Sequence, residues 1–144
     1  MIRVVCVGKI KEKFYIDAIN EYLKRLQKYH KIIIDEVIDS DIKHEGDLLL
    51  RKVHDKDYVV LLDIMGKEMS SLEFSQFIDT SFLWHSNITF IIGGSDGVDE
   101  RIRNRANERI SFSKMTFPHQ LFRVILLEQI YRSFKIMHHE SYHK

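Results

Sequence analysis

The chain has 144 residues, 44% of them hydrophobic and 30% charged, with one proline, one cysteine and a net charge of +1. That size and mix predict a single globular domain, 1–144, able to bury a core without covalent staples, and exclude a disordered chain. A lone Cys6 excludes a disulfide framework and a four-cysteine zinc site.

The N-terminal MIRVVCVGKIKEK has too short an apolar run for a signal peptide, since Gly8 follows at once. No run in the chain reaches the ~18 apolar residues of a membrane span, so a cytoplasmic protein is expected. Residues 2–7 read as a buried strand. From 12 to 30 the residues Tyr15, Ile19, Tyr22, Leu26 and Tyr29 recur at three- and four-residue steps, the mark of an amphipathic helix. The β-branched run 31–38 predicts a strand, DSDIKHEG a loop, and 47–54 a short helix. A third strand spans 57–63, with IMGKEMS as the loop after it. Ser70 and Glu73 have capping-box spacing and open the next helix. A fourth strand at 87–92 runs into the glycine turn GGSDG and a charged helix around DERIRNRANER. A fifth strand at 110–113 and a long helix at 119–137 complete the chain.

Strands alternating with helices predict an α/β fold, a mostly parallel sheet with helices on both faces. Ligands of such sheets lie beyond the carboxyl ends of the strands. Three loops leave the sheet there: IMGKE, GGSDG and KMTFPH. The glycine turn is neither a dinucleotide fingerprint, whose Gly-x-Gly spacing it lacks, nor a phosphate-binding loop, which ends in Gly-Lys-Ser/Thr. No Gly-x-Ser-x-Gly elbow is present.

Charge is unevenly spread. Residues 1–100 carry 13 Lys/Arg against 18 Asp/Glu, and residues 101–144 carry 9 against 3. An anionic partner for the C-terminal part, or simply a solvated basic face, follows from that asymmetry. His138, His139 and His143 crowd the end of the chain, but their spacing matches no metal motif, and no metal is expected. The helix 119–137 is apolar nearly all round between Leu121 and Leu127, which predicts burial on two sides and hence a homodimer. Pro118, whose fixed φ suits a first helical turn, launches it and disfavours a helical Phe117. Residues 112–117 are thereby left with backbone groups free to face a ligand. His119 and Arg123 share one face at the helix start.

The stretches VGKIKEK, IGGSDG, SFSKMTFPHQLFRVILLEQIYRSFKI and the closing YHK resemble the SPOUT-class methyltransferases that act on N3 of a pseudouridine in 23S ribosomal RNA. The resemblance covers nearly the whole chain, which is shorter than the family pattern around DSDIKHEGDLLL. It implies a SPOUT fold with a C-terminal trefoil knot, a homodimer, and S-adenosylmethionine bound among the knot loops. The substrate it implies is 23S rRNA within the ribosome, at pseudouridine 1915. Cofactor positions carry over to Leu62, Gly93, Phe112, Ser113, Lys114, Met115, Thr116 and Phe117. His119, Arg123, Glu128 and His143 are the candidate catalytic residues, with Arg132, Tyr142 and His143 set against RNA. Two rival readings are a SPOUT-type tRNA methyltransferase and a non-catalytic RNA-binding dimer.

Overall fold

Every predicted strand and helix forms in the computed structural model, which describes residues 1–144. The elements are β1 (Ile2–Val7), α1 (Lys13–Leu26), β2 (Ile32–Val37), α2 (Ile42–Lys52), β3 (Tyr58–Glu68), α3 (Ser71–Trp84), β4 (Ile88–Ile92), α4 (Glu100–Arg105), β5 (Glu108–Ser111) and α5 (His119–Met137). All five strands pair parallel, in the order β2-β1-β4-β3-β5.

The period-two alternation of a strand sends neighbouring residues to opposite faces, and here both faces are buried. On one side Val4, Cys6, Val60, Phe90 and Ile110 meet Ile19 and Leu26 of α1, Phe74 and Ile78 of α3, and Leu126, Leu127 and Ile130 of α5. On the other, Val5, Val7, Val59, Leu61 and Ile91 meet Leu49 of α2 and Ile102 of α4. The sheet is therefore a continuous apolar layer between two helical layers, as parallel sheets require. Burial raises the Cys6 thiol to about 12, so it is an inert core residue. No helix is long and apolar enough to cross a membrane.

Several boundaries differ from the sequence expectation: α1 ends at Leu26 and not at 30, and β5 forms at Glu108–Ser111 and not at 110–113. The helix expected at 47–54 starts earlier, at Ile42, because Asp41 caps it by accepting from the His44 amide at 2.9 Å. The loop expected after residue 63 continues β3 to Glu68. Both Leu62 and Lys67 pair with Ile110, so residues 63–66 loop out between them and the chain then rejoins β5. Gly66 permits that crossing, since a Cβ there would lie 2.6 Å from the Arg109 carbonyl carbon. The capping box at Ser70 and Glu73 forms with both of its hydrogen bonds. Pro118 stands one position ahead of α5, as its N-cap, and its carbonyl accepts from Phe122 at 2.9 Å.

Candidate active site

The carboxyl ends of β3, β4 and β5 border a cleft of about 290 Å³. Its floor is apolar, built from Leu61, Leu62, Ile92 and Ile110 at the strand ends. One wall is the turn from Gly93 to Val98. Gly97, at φ +90, reverses the chain there and donates its amide to the Gly94 carbonyl at 3.1 Å. Gly93 is packed so closely that a Cβ would meet Val98 Cγ1 at 2.5 Å. The opposite wall is the loop 112–117. Ser111 Oγ donates to the Ser113 carbonyl at 3.0 Å, and Ser113 Oγ accepts from the Met115 amide at 2.9 Å, so the loop is braced internally. Phe112 anchors it between Phe74 and Phe122, with ring centroids 5.4 and 5.1 Å away.

Asp63, which lines the cleft, accepts two hydrogen bonds of 3.0 and 2.7 Å from Arg109. Burial alone would raise the Asp63 carboxyl. Hydrogen bonds from the Met65 amide and Arg109, with the nearby charge of Arg103, outweigh it and hold the carboxyl below its usual range. Sequence reasoning missed this pair, which joins β3 to β5 across 46 residues.

Of the expected cofactor positions, Leu62, Gly93, Phe112, Ser113, Met115, Thr116 and Phe117 line the cleft, together with His119. Lys114 is exposed and lies outside it. The residues fit S-adenosylmethionine: an apolar floor for a heterocycle, a glycine turn of close backbone approach, and an internally braced loop facing it.

Arg123, one helical turn after His119, is 1% exposed and does not line the cleft. Its guanidinium binds Glu36 at 2.6 Å and donates to the carbonyls of Val7 and Gly8 at 3.0 and 2.5 Å. The remaining expected residues form a second cluster further along α5. Arg132 donates to both oxygens of Glu128, Tyr142 donates to Glu128 at 2.8 Å, and Arg132 Nη1 stands 3.0 Å from His143 Nδ1. Arginine only donates, so Nδ1 is the acceptor and the neutral ring carries its proton on Nε2. The Arg132 guanidinium also lies 4.8 Å from the Tyr142 ring centroid. The hydrogen bond to Glu128 raises Arg132 above its ordinary value, and burial followed by the same carboxylate raises the Tyr142 hydroxyl.

Glu128 follows His119 by nine residues, which is about 13 Å along a helix. One chain thus carries a cleft at the start of α5 and a charged aromatic cluster in its second half. No group of three or more His, Cys, Asp or Glu is placed to hold a metal ion.

A family model described as "Predicted SPOUT methyltransferase" matches residues 1–143. A Clostridium botulinum protein (strain 657 / Type Ba4) named Ribosomal RNA large subunit methyltransferase H is 50% identical, with 99% of each chain covered. A Clostridium tetani protein (strain Massachusetts / E88) of the same name is 48% identical over the same shares. These alignments run over 157 residues against 144 in this chain, so this chain is the shorter.

Proposed function

Because the chain belongs to the SPOUT methyltransferase family, we propose that it methylates large-subunit ribosomal RNA, using S-adenosylmethionine, at N3 of a pseudouridine. The single observation that carries the cofactor reading is the convergence of Leu62, Gly93, Phe112, Ser113, Met115, Thr116 and Phe117 around one apolar cleft. The substrate reading rests on the relatives' name and on the YHK tail packed against Glu128 and Arg132. A ribosomal substrate implies a cytoplasmic reaction. The C-terminal trefoil knot belongs to the same reading.

The bound cofactor supplies an activated methyl group on a sulfonium, so the protein's tasks are to orient it, exclude water and manage one proton. Leu61, Ile92 and Phe122 give the cleft a dry surface, and the braced 112–117 loop gives it fixed shape. N3 of the base must lose its proton as it takes the methyl group. His119 borders the cleft and His143 offers Nδ1 once Arg132 turns toward RNA, so these imidazoles are the candidate bases. Glu128 is less suited, because Arg132, Tyr142 and Gln129 already donate to its carboxylate. Arg123 acts through its neighbours, as a support for the cleft wall.

A homodimer is part of this reading. Leu121, Val124 and Ile125 remain only partly buried on the apolar face of α5, and a two-fold contact through that face would cover them. The deciding experiment is methyl transfer from labelled S-adenosylmethionine to ribosomes that carry pseudouridine but lack the methyl group. Label recovered as 3-methylpseudouridine establishes reaction and substrate. Cofactor binding without transfer to ribosomes redirects the enzyme to another RNA, and no cofactor binding favours a non-catalytic binder.

A further inference from the structure

The basic excess of residues 101–144 is largely consumed inside the molecule. Arg101 binds Asp47 and Asp99, Arg103 binds Glu100, and Arg105 donates to the carbonyls of His54 and Asp57. Arg109, Arg123, Arg132 and Lys135 bind Asp63, Glu36, Glu128 and Glu140. Exposed ion pairs are weak and can be given up to a phosphate, but an unpaired lysine has no carboxylate to leave first. Unpaired lysines are therefore the readier phosphate contacts.

The turn after β1 has what is needed. Lys9 and Lys11 are exposed and form no salt bridge, whereas Lys13 is paired with Asp17 at 2.7 Å. Between the two free lysines Ile10 is 8% exposed and packs into the core under α1 and α5. The backbone of the turn is fixed at three points: the Val7 and Gly8 carbonyls accept from Arg123, and the Ile10 amide donates to Glu36 at 3.0 Å. Glu36 and Arg123 are themselves paired, and the Gly8 amide donates to the Val37 carbonyl at 2.8 Å, so side chains and backbone together hold the turn. Gly8, at φ +94, supplies the reversal.

The turn leaves the sheet next to the glycine turn that forms one wall of the cleft. β1 lies beside β4, and a Cβ at Gly94 would be 3.2 Å from Val7 Cγ1, so this turn and the glycine turn are neighbours. Arg123 follows Phe122 and lies one helical turn beyond His119, both of which line the cleft. We propose that the Lys9–Lys11 turn, pinned by Arg123 and Glu36, is a phosphate-contact surface that seats the substrate RNA beside the cleft. The inference rests on the RNA methyltransferase reading above. A rigid turn matters here, because two mobile lysines would lose more entropy on binding than two held at a fixed spacing.

The test uses the intact protein and ribosomes lacking the methyl group as the probe. Lys9→Gln, Lys11→Gln and the double variant are compared with wild type for ribosome affinity between about 50 and 200 mM salt, and for S-adenosylmethionine affinity by calorimetry. Each lost phosphate contact should weaken ribosome binding several-fold and flatten the log–log salt slope by about 0.7–0.9. Cofactor affinity should be unchanged, and Lys9→Arg with Lys11→Arg should restore ribosome binding. Glu36→Gln keeps both lysines but loosens the turn, so affinity should fall with the salt slope retained. Unchanged affinity and slope in the double glutamine variant overturn the proposal, and an inert Glu36→Gln overturns the pinning. Wild type that binds ribosomes but not the cofactor would sink the enzyme reading and leave the lysine result standing. Wild type that binds the cofactor but no ribosomes overturns the ribosomal substrate and the lysine proposal together.

Discussion

Glu128 and Arg132 stand one turn apart on α5, joined at 2.8 Å, and between them they collect Tyr142 and His143 from the end of the chain. The helix thereby fixes a tail that would otherwise fray. Arg132→Ala should release Tyr142 and His143 together, because the guanidinium touches both. Methyl transfer should drop on the order of a hundredfold, the usual scale for a lost electrostatic or positioning group. Affinity for S-adenosylmethionine, measured by calorimetry, should hold, since the cleft lies about 13 Å away along α5. Equal losses of both would show that the cluster supports the fold and not the substrate.

Gly93 offers a sharper test of the cleft. A Cβ there would overlap Val98 Cγ1 and crowd the Gly97 carbonyl. Gly93→Val should therefore push the glycine turn outward and reduce cofactor affinity at least tenfold. The cost in stability should be about 1–3 kcal/mol, as for other overpacked sites. Urea unfolding separates the two effects. A folded variant with wild-type affinity would remove this turn from the cofactor site.

Much of this architecture is legible in the sequence, and the limits have a physical cause. The bounds of α5 are marked by Pro118 on one side and the end of the apolar run on the other. The three cleft loops can be found because strand ends and glycines are local signals. Pairings across the chain are not local. Arg123 and Glu36 are 87 residues apart, and nothing near Arg123 names its partner. The continuation of β3 to Glu68 is likewise decided by β5, and the glycine-containing IMGKEMS gives no strand period of its own. The charge asymmetry between the two parts of the chain is real, yet most of it serves contacts between them.

Glu45 predicts a pH effect on stability. It is 5% exposed and accepts from the Ser40 amide at 2.8 Å, with Oε1 beside Gly94. Burial, then the Asp39 carboxyl and the charge of Asp96, raise it above its ordinary 4.5. A carboxyl raised on folding favours the folded state while protonated, and that contribution is lost as pH climbs through the raised value. Glu45→Gln keeps an acceptor for Ser40 without the charge. Its stability should match wild type well below pH 4.5 and exceed it increasingly as pH rises above that value, as read by urea midpoints across that range. A constant gap at all pH values would assign the difference to packing.

The proton released from N3 can be traced by comparing His119→Ala with His143→Ala. His119 borders the cleft, and His143 is held by Arg132 in the second cluster. If one imidazole takes the proton, its loss should lower kcat by about a hundredfold or more and remove the acidic limb of the pH–rate profile. The other variant should keep that limb. Removing His143 also frees one Arg132 nitrogen, so an effect on KM alone would mark it as a substrate contact. His119→Gln, which keeps a polar side chain in the cleft, distinguishes a lost base from lost packing. If both variants retain the wild-type profile, neither imidazole carries the proton, and Glu128 is the remaining candidate.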